Sequence, residues 1–178
     1  MPQIIASISL GLREEYEKAS DADWKDSPFE WILRRPSRQR GKIGEQLISG
    51  WLAARGLDVT RSPDSDADRL IEGARVEVKF STRWASGQYV FQQIRNQNYE
   101  YLICFGVSPF EVSAWIIRKD QIPFNLIKHQ HGGERGRDTW WIGFGPKKVP
   151  VWLKSNGGLA AVYKVFSEHG KNARRKRV

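Results

Sequence analysis

Apolar residues recur along this chain with two different periods, and the change of period divides it into elements. From about Arg38 to Arg55, Ile43, Leu47, Ile48, Trp51 and Leu52 cover one side at helical spacing, and Gly56 follows as a C-terminal stop. Residues 1–36 also read as helical. There Ser27-Pro28-Phe29-Glu30 is a capping box with Pro at the first helical position, opening a short helix through Trp31, Ile32 and Leu33 that Pro36 ends. Beyond Gly56 the elements become strands. Leu57–Thr60 is the first, and Asp68–Ile71 and Arg75–Phe80 follow, separated by the turn Glu72-Gly73-Ala74. Phe91–Asn98 predicts a short polar helix. Tyr99–Val107 is a continuous apolar run, the pattern of a buried central strand. Ala114–Ile117 and Trp140–Phe144 are strand-like, residues 129–138 form a polar, Gly-rich loop, and Leu159–Phe166 predicts a last helix. The order gives a mixed α/β fold around a small sheet.

Composition narrows the class. A chain of 178 residues supports one compact domain, and eight Trp with eight Phe argue against disorder. The net charge of +9 suits a polyanion, nucleic acid first and an anionic membrane second. Five of those charges (Lys171, Arg174, Arg175, Lys176 and Arg177) lie in residues 171–178, so the body is only mildly basic and the end reads as a disordered tail adding nonspecific affinity. Cys104 is the single cysteine, which excludes an intrachain disulfide, and its apolar surroundings predict a buried thiol. The N-terminus lacks a basic n-region, and no run approaches the roughly 20 apolar residues of a membrane span. A soluble cytoplasmic protein with no membrane partner is expected. His129 and His131 lack further partners nearby for a zinc site.

Candidate chemistry lies in Arg75-Val76-Glu77-Val78-Lys79-Phe80, which alternates strictly. Glu77 and Lys79 share one face at a spacing of roughly 7 Å. Alone, this pair is the wet face of an ordinary strand. The hairpin changes its weight. A two-residue loop at Glu72-Gly73 pairs Ile71 with Ala74, sets Asp68 opposite Glu77, and sets Asp66 opposite Lys79. Facing residues of that kind have Cβ atoms roughly 4.5–5.5 Å apart. Two carboxylates so placed repel unless a hard cation neutralises them, and Mg²⁺ typically needs only about one or two carboxylates plus water and phosphate.

Pro63-Asp64, Asp68 and Glu77-Val78-Lys79 together resemble the PD-(D/E)XK nuclease signature. The literal motif gives Asp64, the hairpin favours Asp68, and Asp66 is the third choice. The resemblance spans roughly residues 38–118. It implies a restriction-endonuclease-like core, a small mixed central sheet flanked by helices. It also implies that Asp68 and Glu77 bind metal, that the Val78 carbonyl is an extra ligand, and that Lys79 orients or deprotonates the attacking water. Members often carry a helix glutamate pointing into the site. Glu45, at the edge of the apolar face of its helix, is similar, or else it is simply solvent-exposed. The family's glutamine near the scissile phosphate corresponds to Gln93, with Gln92 second, unless both are surface residues.

The expected protein is therefore one nuclease domain over residues 1–178. Its parts are a helical extension (1–36), a catalytic core (38–118), a C-terminal part (119–170) and the basic tail (171–178). The expected cofactor is one or two Mg²⁺ ions, with Mn²⁺ able to substitute, and the substrate is duplex DNA. Arg34, Arg35, Arg38, Arg40 and Lys42 lie on DNA phosphates or form a solvated helix end. Arg83, Trp84, Gln88 and Tyr89 form a loop able to enter a groove, unless Trp84 is packed. The leading expectation is a type II restriction endonuclease or its cleavage subunit, working as a homodimer or with another nuclease or specificity subunit. A repair or junction-resolving nuclease and a catalytically inactive DNA-binding subunit are the alternatives.

Overall fold

In a computed structural model, residues 4–10, 12, 22–130, 138–154 and 157–175 are described. After a helical stretch at 4–10 come helices α1 (Glu30–Leu33) and α2 (Ser37–Ala54). Strands β1 (Val59–Arg61), β2 (Arg69–Ile71), β3 (Ala74–Thr82), β4 (Tyr89–Ile94), β5 (Tyr101–Val107), β6 (Val112–Arg118), β7 (Lys128–Gln130) and β8 (Thr139–Phe144) follow. Helices α3 (Val151–Lys154) and α4 (Leu159–Arg175) close the chain.

The central sheet is mixed and runs β1-β2-β3-β5-β6, with β3 and β5 parallel and the other pairs antiparallel. Its face of Ile71, Val76, Val78, Ile103, Phe105 and Ile116 packs on Ile48 and Leu52 of α2 and on Val162 and Phe166 of α4. Leu102, Cys104, Trp115 and Ile117 form the opposite face. They pack on Phe91, Ile142 and Phe144 from a second, antiparallel sheet, β4-β8-β7, and on Leu153 of α3. Strand β5 is thus covered on both sides, which is why its sequence is an unbroken apolar run. Cys104 is fully buried, as expected, and burial pushes its thiol pKa up.

The second sheet is absent from the sequence expectation. Phe91–Asn98 is not a helix: β4 occupies Tyr89–Ile94, where Tyr, Val, Phe and Ile favour a half-buried pleat over a helix. The basic end is not a disordered tail through its first five residues, because α4 continues to Arg175; residues 176–178 lie outside the described set. So does most of the polar loop, residues 131–137 with His131, while His129 lies on β7 and stacks on Trp140. The capping box does not form either. Ser27 Oγ accepts from Phe29 N–H at 3.0 Å, the helix begins only at Glu30, and the Glu30 carboxylate turns to Arg34.

Two local features hold the elements that matter for the site. The β2–β3 turn is built from Glu72 (φ 50) and Gly73 (φ 85), two successive left-handed residues that match the twist of a two-residue hairpin. Ile71 pairs with Ala74 across it, the register expected from sequence. The turn is fastened from outside: Glu72 accepts from the Asp58 N–H at 2.9 Å and from Arg174 of α4 at 3.2 Å. Helix α2 meets β3 at Gly44, where a Cβ would fall 2.1 Å from the Phe80 ring. Its C-terminus is a Schellman arrangement, with Gly56 N–H bonded to Ala53 O and Leu57 N–H to Leu52 O.

Gly44 and Gly50 lie in the same helix, so they separate packing from propensity. A Cβ at Gly50 meets nothing within 4 Å. Gly50→Ala is expected to stabilise the protein by up to about 1 kcal/mol. Gly44→Ala is expected to destabilise it, by about 1–3 kcal/mol of overpacking against the same propensity gain. Urea midpoints of the two variants check this; equal shifts would mean that Phe80 does not seat on Gly44.

Candidate active site

Strand β3 carries the chemistry because its two faces differ. Val76 and Val78 point to the helices, so Glu77 and Lys79 point to the other side, in register with Leu102 and Cys104 of β5. That side is roofed by the second sheet, and Glu77 is only 6% exposed. Lys79 Nζ lies 2.6 Å from Glu77 Oε1, with the lysine side chain still 19% exposed. The pair is therefore not the wet strand face that its spacing alone suggests.

Asp68 lies beside this pair, half-buried, by a different route from the one expected. The ladder ends at Arg69↔Val76. Beyond it Asp68 N–H donates to Val76 O at 2.9 Å, one residue out of the register that would set it squarely against Glu77. Asp68 lies in a bend just outside β2, which re-aims its side chain. Asp68 Oδ2 then accepts from Val78 N–H at 2.8 Å, so the carboxylate itself continues the strand pairing and leaves Oδ1 uncommitted to any hydrogen bond among the described residues. Asp66 is not opposite Lys79; its N–H donates to Asp64 Oδ1. Asp64 is drawn away by Arg75, 2.6 Å from its carboxylate, and this partner holds the Asp64 pKa down.

Burial is the largest influence on Glu77 and raises its pKa; Lys79 opposes that, the negative charge of Asp68 adds to it, and Arg95 opposes it. Burial likewise raises the Tyr99 hydroxyl, which has no hydrogen-bond partner among the described residues, and the Glu77 charge adds to that rise. Asp68 thus sets a free oxygen near the buried Glu77 carboxylate, whose own pKa is raised, a donor set that suits a hard divalent cation. Among the described residues no group of three or more His, Cys, Asp and Glu side chains could hold one ion. Any such ion would be completed by the Val78 carbonyl, water or phosphate rather than by a third carboxylate.

Glu45 is accordingly corrected. It is buried rather than at a helix edge, because the inward face of α2 is Gly44, Glu45, Ile48, Ser49 and Leu52, while Leu47 is 36% exposed. Its carboxylate is held by Lys42 and by Arg69 of β2, each at 2.8 Å, instead of joining Asp68 and Glu77. Lys42 is therefore committed to Glu45, Arg34 to Glu30, and Arg35 lies over the Trp31 ring. Arg38 is exposed, and Arg40 bonds Ser37.

Gln93 is not on a helix beside the site. It is an exposed strand residue with φ 56, at a shift of the β4–β8 register, and Gln92 next to it is half-buried. Tyr89 is also corrected: it is 1% exposed, seated against Gly106 and among Phe91 and Trp115, so it cannot reach a groove. Its neighbours keep that freedom. Trp84, in the turn connecting β3 to β4, is 49% exposed rather than packed, with Gln88 exposed and Arg83 half-buried. Sequence reasoning missed Arg69, Arg95 and Tyr99. The Tyr-Val-Phe run before Arg95, read as a strand, would have turned attention to the residues that follow it.

Neither a protein-family model nor a curated protein sequence matches this chain. Among solved structures the fold is similar to that of a bacterial homing endonuclease, I-Ssp6803I, at 15% identity and a TM-score of 0.50, covering 79% of this chain and 98% of that one. This likeness defines the architecture: a mixed α/β core with a mixed central sheet flanked by helices, shared with an endonuclease. Among the described residues no helix is long and apolar enough to cross a membrane.

The raised Glu77 pKa has a consequence for stability. Below the unfolded glutamate value of about 4.3, Glu77 is protonated in both states and costs nothing. As pH rises through the higher folded value, the buried carboxylate ionises against its environment and stability is lost. Glu77→Gln in chelator should therefore raise the melting temperature relative to wild type at pH 7, with the gain vanishing near pH 4. A lower melting temperature at pH 7 would mean that the ion pair with Lys79 outweighs burial.

Proposed function

We propose that this chain is a divalent-metal-dependent deoxyribonuclease that hydrolyses phosphodiester bonds in duplex DNA. The observation that carries the reading is the buried Glu77–Lys79 pair, 2.6 Å apart, on a strand whose neighbour presents the Asp68 carboxylate. Asp68 and Glu77, with the Val78 carbonyl, are the residues that would hold Mg²⁺. Bound there, the ion supplies positive charge to the phosphoryl oxygens and to the leaving 3′-oxygen. The chain's own residues do the rest. Asp68 is fixed by the Val78 N–H, so its free oxygen is pre-aimed. Glu77 keeps the Lys79 ammonium at the solvent edge of the site, where its N–H groups orient a water against the phosphate. The roof of the second sheet keeps bulk water from Glu77 and strengthens each of these charges.

DNA contact is assigned to the exposed Arg38, with Arg34, Arg35 and Arg40 around the start of α2, and to Arg83, Trp84 and Gln88 of the β3–β4 connection. The net charge of +9, five of it in residues 171–178, favours phosphate binding. The endonuclease fold neighbour supports cutting within a strand rather than from an end. As the finer reading, we retain a type II restriction endonuclease or its cleavage subunit, acting as a symmetric dimer, since two strands need two sites.

The test is incubation of supercoiled, linear and branched DNA with the protein, with Mg²⁺, with Mn²⁺ and in chelator. Wild type is expected to cut only with metal. Glu77→Ala and Lys79→Ala should each lose at least about 10²-fold in rate. Absence of cleavage on every substrate while binding persists would leave a DNA-binding subunit; variants as active as wild type would move the site elsewhere. A preference for branched DNA would replace restriction by junction resolution.

A further inference from the structure

Three exposed aromatic side chains lie on segments tied to one end of the central sheet, where β3 and β5 finish together at Thr82 and Val107. Trp31 is 47% exposed, Trp84 49% and Phe110 66%. Single exposed apolar residues are ordinary on a protein surface, so what matters is that these three share a place. Arg83 N–H donates to Val107 O at 2.8 Å, and Trp84 is the next residue. The β5–β6 turn is closed by Ser108 N–H to Glu111 O at 2.9 Å, and Ser108 and Pro109 are buried, so Phe110 stands exposed on a fixed turn. The Pro109 carbonyl accepts from Ser27 Oγ, and Ser27 leads into α1, which carries Trp31.

Arginines gather at the same end. Helix α2 runs antiparallel to β3: Gly44 meets Phe80 near the end of β3, while the C-terminus of α2 leads to Val59, which pairs with Ile71 beside the β2–β3 turn. Arg38 lies six residues before Gly44, about 9 Å further along the helix axis and so past Phe80. Arg35 sits over the Trp31 ring at 5.9 Å, and Arg83 adjoins Trp84. Arg34 is taken by Glu30 at 2.8 Å, but among the described residues Arg35, Arg38 and Arg83 have no ion-pair partner.

Exposed rings interspersed with unpaired guanidiniums have the chemistry of a surface for unpaired nucleotides. Every base offers a face that stacks on an aromatic ring, and each phosphate accepts from a guanidinium. An apolar protein partner would bury the three guanidiniums without a counter-charge. The active site is close: Thr82 is three residues beyond Lys79, about 10 Å along the strand and about three base-pair steps of duplex.

We propose that this end of the sheet is a stacking platform for unpaired bases of the DNA beside the Lys79 site. Trp31, Trp84 and Phe110 take base faces, and Arg35, Arg38 and Arg83 take the flanking phosphates. The platform rests on the DNA-acting part of the proposed function and not on its metal.

The test is a fluorescence-anisotropy titration of a labelled oligo-dT, and of a blunt duplex of the same length, with the full chain in chelator so that no cutting intervenes. Trp84→Ala and Phe110→Ala should each weaken oligo-dT binding about tenfold, with the duplex affinity, the salt slope and the melting temperature unchanged. Arg38→Ala should instead flatten the salt slope for oligo-dT by about 0.7, the share of one phosphate contact. Phe110→Trp keeps a ring and should restore binding; failure to restore it overturns the platform. So does the absence of oligo-dT binding by wild type at low salt, wild-type affinity in either alanine variant, or an equal loss on duplex and oligo-dT. Self-association that Phe110→Ala abolishes while oligo-dT binding stays intact would make this end an interface between copies, and also overturns it. A wild type that binds as expected but cuts nothing with metal removes the nuclease reading and leaves the platform standing. Metal-dependent cutting, with alanine variants that bind oligo-dT like wild type, does the reverse.

Discussion

Glu77 is held almost out of water in the middle of a sheet, with a lysine two residues away as its nearest cation. Removing an ionised carboxylate from water costs several kcal/mol even after relaxation, and the attraction to a half-exposed lysine returns only part of it. Asp68 makes the balance worse by setting a second negative charge nearby. Both carboxylates are nevertheless fixed there by strong local structure. The left-handed turn at Glu72 and Gly73 sets the hairpin, the Glu72 carboxylate ties that turn to Asp58 and to Arg174 of α4, and the Asp68 side chain replaces a strand hydrogen bond at Val78. Two carboxylates held near one another in this way are what motivates the proposed cation.

The layers around β3 serve that arrangement. Helix α2 seats on Phe80 through Gly44 and covers the apolar face, so the opposite face alone is left for polar groups. The second sheet then roofs that opposite face. Without the β4-β8-β7 sheet, Glu77 would be solvated and its pKa ordinary. With it, Glu77 is shielded and its pKa is raised. The buried carboxylate of α2, Glu45, instead anchors Arg69, the residue after Asp68.

Much of this was legible in the sequence, and the reasons for success and failure are physical. The hairpin register followed from a two-residue loop with glycine, because turn chemistry fixes register before any tertiary contact forms. The buried β5 was visible as an unbroken apolar run. The expected pairing stops at Arg69, because Asp68 and Asp66 lie in bends outside β2 that spacing alone does not reveal. Gln93 and Tyr89 both fall on β4, where aromatic and β-branched residues favour a strand over the helix expected at Phe91–Asn98 and the loop expected through Tyr89. That error hid the second sheet, and with it the burial of Glu77. Glu45 was misjudged by the phase of α2: its two cationic partners, one of them on another strand, let a carboxylate occupy the inner face.

The central claim is that Asp68 and Glu77 jointly hold a divalent metal ion. The most direct measurement is anomalous diffraction from crystals of the protein grown with Mn²⁺. The account predicts an anomalous peak in bonding contact, about 2.0–2.2 Å, with an oxygen of both Asp68 and Glu77, and its loss in Glu77→Gln. A crystal saturated with Mn²⁺ that shows no peak there, with Lys79 still paired to Glu77, or a peak only at Asp64 and Asp66, would contradict it.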